Sequence, residues 1–372
     1  MVLKKNKISF CTVCMDRLHH LRQTLPVNIT DNENYENLEF ILLDYNSSDA
    51  LEEYVKTNLS IYIETGKLIY CKTFTPKFFH RSHSRNLAFK LATGDLICNI
   101  DADNFTGKNF ANYINESFEK EENIFLTTLG DTNRKYQKDT LGRICVKRED
   151  FYNIKGYDER MVSYGFEDYD FANRLELSGV KRSLICKEEN LQAINHEQKE
   201  RISNEFMLKN LNSLSLNYRT PSSTEFLFLF NDGKFKKGII IDNKFFEYKA
   251  RRTTVIEIQE NYKFSICDDA WEEGTWKRTG DLINLFQNGI EIESFNFNKS
   301  NDCIISLSKP NYNFYKVSDT LLIHQGVMLF SQITNRLIMN RNKLHGSIIV
   351  NENGYGTDTI YRNFHNKAIK ID

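Results

Sequence analysis

The first half of the chain alternates short apolar runs with stretches whose apolar residues recur at helical spacing. The run Ile8-Ser9-Phe10-Cys11-Thr12-Val13-Cys14 predicts a first strand over 8–14, and Leu18, Leu21 and Leu25 share one face of a helix over 18–27. A second strand is expected over 38–43, ending at Asp44, then a helix over 51–59 with Ser48 or Asp49 as its cap. A short strand over 67–71, a helix over 84–91 stopped by Thr93-Gly94-Asp95, and a strand over 96–100 follow. Beyond them the pattern predicts a helix over 108–120, strands over 124–129 and 142–147, a helix from Glu167 to Gly179 and a strand over 182–186. Strand and helix in alternation predict an α/β, doubly wound sheet, whose ligands gather at the carboxyl ends of its strands.

After residue 220 the pattern changes. Pro221-Ser222-Ser223 marks a boundary, and apolar or alternating runs follow at 225–230, 237–241, 244–248, 253–258, 262–266, 282–286, 290–297 and 303–307. Asn231-Asp232-Gly233 and Asn288-Gly289 between them are hairpin signals. The expectation is a separate all-β unit, a sandwich or open barrel, with a helical segment over 319–338 and one more strand over 347–350. Trp271 and Trp276 read as a tight corner anchored by indole, with a sugar-stacking platform as the alternative. The tail from Gly354 carries Arg362, His365, Lys367 and Lys370; it reads as a solvated terminus, with contact to anionic lipid as the alternative. The expected division is 1–218 for catalysis and 219–372 for an accessory unit that binds acceptor.

Composition changes this picture in three places. A length of 372 residues suits two domains. A net charge of -1 removes the electrostatic case for nucleic acid. No run of 18 apolar residues exists and Met1–Lys7 is too polar for a signal peptide, so a cytoplasmic protein is expected, at most touching the inner face of a membrane. Among eight cysteines, Cys11, Cys14, Cys71, Cys98 and Cys186 read as small buried hydrophobes, and the Cys11-x-x-Cys14 spacing lacks the second pair a zinc site needs.

The candidate chemistry sits at strand exits. Asp101-Ala102-Asp103 ends the run Ile97–Ile100, and extended backbone points residues two apart to the same side. Two such carboxylates can meet a hard divalent cation that carries phosphate oxygens; a surface turn with two solvated acids is the competing reading. Asp16 and Asp44 occupy equivalent exits, which fits a nucleotide site, although neither G-x-G-x-x-G nor a Walker A run is present. Tyr164-Gly165-Phe166-Glu167-Asp168-Tyr169-Asp170 opens a helix with an acidic first turn. That turn reads either as the ordinary charge preference of a helix start or as the place of a base on the acceptor side. Asp170 and Arg174 have the spacing of a structural ion pair. His196 reads as an ordinary core or surface histidine, or as a second ligand to the cation of Asp103.

Over roughly residues 6–200 these motifs together resemble the inverting, family-2-type nucleotide-sugar glycosyltransferases of GT-A fold. Asp101-Ala102-Asp103 is similar to their D-x-D motif, and Ser82–Ala88 with Ala92-Thr93-Gly94-Asp95 to the A-R-N-x-G … A-x-G-[DE] run. Leu43–Asp49 resembles the V-D-(D/N)-x-S-x-D loop, and Tyr164–Asp170 the G-W-G-x-E-D-x-[DE] segment of galactosyltransferase-like and chondroitin-polymerase-like enzymes. The resemblance implies a GT-A catalytic domain using Mn²⁺ or Mg²⁺ held by Asp103 and His196. It implies donor contacts from Thr12, Arg17, Asp44, Arg85 and Asp101, and Asp168 as general base. Glu167 and Asp170 would orient the acceptor, and Tyr164 or Phe166 would supply the ring that relatives take from a tryptophan. The implied reaction is inverting transfer of a hexose or N-acetylhexosamine from a nucleoside-diphosphate donor, UDP first, to a saccharide or glycolipid, as in bacterial polysaccharide, lipopolysaccharide or capsule synthesis. A nucleotidyltransferase, or a carbohydrate-binding scaffold with an inactive transferase domain, are the alternatives.

Overall fold

The computed structural model describes residues 5–130, 139–242, 264–266, 271–300 and 302–372. The runs expected at 244–248 and 253–258, and the start of that at 262–266, lie outside the described residues. The chain divides into two units, Met1–Asn204 with Ile338–Asp372, and Glu205–Leu337. The boundary therefore falls earlier than residue 218, and the last residues return to the first unit, a correction to the expected division.

The first unit contains β1 (Ile8–Cys14), α1 (Leu18–Asp31), β2 (Leu38–Tyr45), α2 (Leu51–Asn58), α3 (Ser60–Glu64), β3 (Leu68–Thr73), α4 (Arg81–Leu91) and β4 (Leu96–Asn99). It continues with β5 (Asn104–Phe105), α5 (Phe110–Lys120), β6 (Ile124–Thr127), β7 (Ile144–Lys147), α6 (Arg148–Asn153), α7 (Glu167–Leu177), β8 (Lys181–Leu184), β9 (Gln192–Ala193) and α8 (Gln198–Ile202). β3, β2, β1 and β4 are parallel neighbours, and β7 joins β4 antiparallel, so the sheet is mixed. Both faces of β1 and β2 are covered. Phe10 and Leu42 enter one core cluster, and Cys11, Ile41 and Leu43 the other. A strand buried on both faces needs apolar residues throughout, which is why these runs do not alternate. The register pairs Cys14 with Asp44 and Cys11 with Asn99, so the chain leaves β1, β2 and β4 at one edge. Cys11, Cys14, Cys71 and Cys98 are buried free thiols as expected, whereas Cys186 is exposed.

The second unit contains α9 (Phe206–Lys209), β10 (Leu211–Thr220), β11 (Ser223–Phe230), β12 (Lys234–Asp242), β13 (Phe264–Ile266), β14 (Glu272–Thr279), β15 (Leu282–Gln287), β16 (Ile290–Asn298), β17 (Cys303–Ser306) and β18 (Asn313–Lys316). α10 (Thr320–Leu344) begins there. The strands form an antiparallel meander, and β10 pairs with β18 through Leu216 and Tyr315. That pairing closes an eight-strand ring, with β13 appended to β12. Leu227, Leu229, Leu285, Phe295 and Phe314 fill the ring. Phe226, Phe228 and Phe230 face the other way, and Phe228 packs on Phe330 of α10 at 4.5 Å. Trp271 stacks on Phe330 and Trp276 Nε1 donates to the Phe230 carbonyl at 2.9 Å, so both indoles have structural partners.

The chain ends with β19 (Asp358–Arg362) and β20 (Ala368–Ile371). β19 pairs antiparallel with β3, and β20 covers β19, so the tail is not a solvated terminus. Ile360 is buried in the core and Phe364 stacks on Tyr70, which gives the edge of the parallel sheet a cover. The strand expected over 347–350 does not form. No helix among the described residues is long and apolar enough to cross a membrane.

Candidate active site

The site is built where β4 ends and α4 and α7 begin. Arg81 and Arg85 lie one turn apart on α4 and so share a face. Gly165 and Phe166 hold left-handed backbone at φ 96 and 70, and this turn delivers Glu167 and Asp168 into the first turn of α7. A bulky residue at positive φ is strained, and it is retained beside the acids.

Arg85 joins the two sides of this site. Its Nη1 donates to Asp168 Oδ1 at 2.7 Å and to Glu167 Oε1 at 3.0 Å, while Nη2 donates to Asp101 Oδ1 at 3.2 Å. Burial opposes the guanidinium charge, but Asp168, Asp101 and Glu167 hold it firmly protonated. Burial acts the other way on Asp168. It pushes that carboxyl up to about 8, helped by Glu167 and Asp101 and opposed by Arg85. Asp101 is also penalised by burial, yet Arg85 and the Asn99 amide bring it below the ordinary carboxylate range. Two neighbouring carboxyls are thus driven apart in acidity, the arrangement acid–base chemistry requires. Glu167 Oε2 is buried without a hydrogen-bond partner.

Asp103 and His196 form a second group. His196 Nε2 lies 2.6 Å from Asp103 Oδ2, and that hydrogen bond raises the imidazole above its ordinary value against the effect of burial. His196 Nδ1 is buried without a partner. One carboxylate oxygen and one imidazole nitrogen, already side by side, fit a divalent transition metal. Nearby, His19, His20 and Glu200 bring ligand atoms within 4.8 Å of one another. Arg17 Nη1 sits 2.9 Å from the same Glu200 oxygen, so a cation is already in place there.

Several residues expected to contact donor or acceptor have partners within the fold. Asp44 is fully buried; its oxygens accept from Ser47 N at 2.7 Å and from Tyr70 Oη at 2.6 Å, so it holds the strand exit together. Asp170 is equally enclosed, bonded to Arg174 Nε at 2.7 Å and Asn342 Nδ2 at 2.8 Å, and is part of the scaffold. Thr12 lies buried within β1, and the Arg17 guanidinium is held by Glu200. Phe166 is buried, and the Tyr164 ring carries Arg81 at 4.5 Å, so neither presents a bare ring in place of the missing tryptophan. Asp101, Asp103, Arg85, Glu167, Asp168 and His196 remain as the candidate set.

Gly142 was not singled out by the sequence. A Cβ there would lie 2.5 Å from Asp101 Oδ2 and 2.6 Å from Arg85 Nη2, and its carbonyl accepts from Asn99 Nδ2. Gly142→Ala is therefore expected to displace the Arg85–Asp101 contact and cut turnover by about 100-fold. Circular dichroism should show the fold intact; an alanine variant with parental turnover would show that this contact is not used.

Residues 124–200 match the family described as the N-terminal domain of galactosyltransferase. No curated protein sequence matches the chain. Among solved structures it is similar to a mannosyltransferase from Pyrobaculum calidifontis in complex with GDP-Man and Mn²⁺, at 14% identity over 49% of this chain and 55% of that one, with TM-score 0.41. It is similar to S. aureus TarS residues 1–349 at 14% identity, over 50% of this chain and 59% of that one, with TM-score 0.40. It is also similar to the catalytic domain of Drosophila beta1,4galactosyltransferase 7 in complex with xylobiose, at 15% identity over 54% of this chain and 74% of that one, with TM-score 0.37. The chain thus spans less than two thirds of the first two structures.

Proposed function

We infer that this chain, a glycosyltransferase with a GT-A type first unit, moves a sugar from a nucleoside-diphosphate donor to a saccharide or glycolipid hydroxyl with inversion. The observation that carries this reading is the single Arg85 guanidinium shared by Asp101 and by Glu167 and Asp168. The galactosyltransferase match includes Glu167, Asp168 and His196. Asp103 and His196 would hold a divalent cation, Mn²⁺ or Mg²⁺. When bound, that ion supplies positive charge to the leaving diphosphate.

The protein's own groups carry the remaining steps. Asp168 accepts the proton of the attacking hydroxyl as its oxygen bonds to the anomeric carbon. The bond from that carbon to the diphosphate oxygen breaks, and its electron pair leaves with the phosphate. Arg85 fixes the Asp168 carboxyl through the 2.7 Å hydrogen bond from Nη1. Attack opposite the departing group inverts the centre in one displacement.

The test is a screen of UDP- and GDP-sugars, read by release of nucleotide. One donor should be turned over, with the anomeric configuration of the product inverted by NMR. Chelation with EDTA should lower that turnover at least about 100-fold, the loss of several kcal/mol of charge stabilisation, and added Mn²⁺ should restore it. Full turnover after exhaustive chelation would remove the metal from the reading. A screen in which no donor is consumed would favour the inactive scaffold.

A further inference from the structure

Arg143, next to Gly142 at the start of β7, has no role in the chemistry above. Its side chain is completely buried, and its guanidinium lies over the Phe110 ring at 5.5 Å. Nη2 donates to Asn104 Oδ1 at 3.1 Å and to the Phe105 carbonyl at 2.9 Å, while Nε and Nη1 are buried without a partner. Among the described residues no carboxylate lies within ion-pair distance of it. Burial pulls it down to about 10 against the attraction of Cys98, Asp101 and Asp103. A buried, unpaired cation costs several kcal/mol, and a neutral side chain would fill this space with less penalty.

Its contact with Asn104 gives the reason. An asparagine amide can face either way, and its neighbours decide which end points where. Arg143 can only donate, so it takes Oδ1 of Asn104. The Nδ2 end must then face outward, and it donates to Asp103 Oδ1 at 2.8 Å and to the Asp139 carbonyl at 2.9 Å. The other oxygen of Asp103 is left to His196 at 2.6 Å. Were the amide reversed, its oxygen would confront the Asp103 carboxylate and turn it away from the histidine.

We propose that Arg143 is a positioning residue, which through Asn104 aims the Oδ2 oxygen of Asp103 at the cation site. This rests on the reading of Asp103 and His196 as that site. Neighbours that orient a ligand in this way commonly contribute 10–100-fold in metal affinity. The inference concerns binding, so it is separable from turnover.

The test is titration of the full chain with Mn²⁺ alone, following the electron paramagnetic resonance signal of free Mn²⁺. Parent protein should bind and Asp103→Asn should not. Arg143→Met should bind about 10–100-fold more weakly while its melting temperature stays near the parent, because a costly buried charge has gone. Arg143→Lys, which keeps the charge and one reachable donor, should fall between, and it serves as the readout where the methionine variant fails to fold. A parent that binds no Mn²⁺ would overturn the metal reading and this inference with it. Binding that Asp103→Asn loses but both Arg143 variants keep at parental strength would overturn this inference alone.

Discussion

Asp168→Asn is expected to lower kcat for sugar transfer by roughly 10²–10⁴-fold, while at neutral pH the protein melts no lower than its parent. The rate loss follows from the proton. Asparagine keeps the shape of aspartate and an oxygen for Arg85, but it cannot take a proton from an attacking hydroxyl. The retained stability follows from burial. The Asp168 carboxyl is pushed up to about 8, chiefly by burial, so the folded state holds its proton more tightly than the unfolded chain does. The stability contributed by a group of this kind is present below the unfolded value near 4 and is lost as pH rises toward 8. An asparagine, neutral throughout, escapes that loss, so its stability relative to the parent should grow as pH rises from about 4 toward 8. The same displacement sets the pH profile. The base works only when ionised, so kcat/KM of the parent should fall as pH drops through about 8, not through the ordinary carboxylate range. Initial rates across pH 5–10 check this. A limb near pH 4 in the parent would show that the carboxyl is not raised, and an asparagine variant with parental kcat would remove Asp168 from the role of base.

What the sequence made legible was local. The run Ile97–Ile100 ending in Asp101-Ala102-Asp103 carries its own strand and exit, and both appear as read. The hairpin signals of the second half were equally local, and the antiparallel meander follows them. What stayed hidden was decided by residues far apart in the chain. Closure of the ring needs β10 to meet β18, about 100 residues later, and no pattern in either strand announces the other. The strands of the tail look polar and basic because β19 buries Ile360 alone and β20 buries none of its residues fully. The acidic first turn of α7 was the hardest case. Glu167, Asp168 and Asp170 are alike in sequence, yet the first two meet Arg85 whereas the third meets Asn342, 172 residues away. Arg143 escaped notice for a related reason, since its effect on Asp103 passes through a neighbouring amide.

That distinction within α7 predicts a second large effect, on stability. Arg174→Ala is expected to destabilise the first unit by about 3–5 kcal/mol, a fall in melting temperature of roughly 6–20 °C. Arg174 is completely buried. Its Nε donates to Asp170 Oδ2 at 2.7 Å, Nη2 to the Gly156 carbonyl at 2.7 Å, and Nη1 to the Ile154 carbonyl at 3.1 Å. Alanine removes all three donors and leaves the Asp170 carboxylate buried, with Asn342 its one remaining side-chain partner among the described residues. Asp170→Asn should also be destabilising, because it strips Arg174 of its counter-charge and sets two amides against each other at Asn342. Combining Asp170→Asn with Arg174→Met should cost less than the sum of the single changes, since no buried charge is then left alone. Thermal melts of the parent, Asp170→Asn, Arg174→Met and the double variant give that coupling directly. Activity separates the scaffold role from an acceptor-orienting one. Assayed well below its melting temperature, the Asp170→Asn protein should keep most of its kcat, in contrast to Asp168→Asn. A folded Asp170→Asn enzyme with a hundredfold loss of kcat would return Asp170 to the acceptor site and contradict its burial as the explanation of its charge.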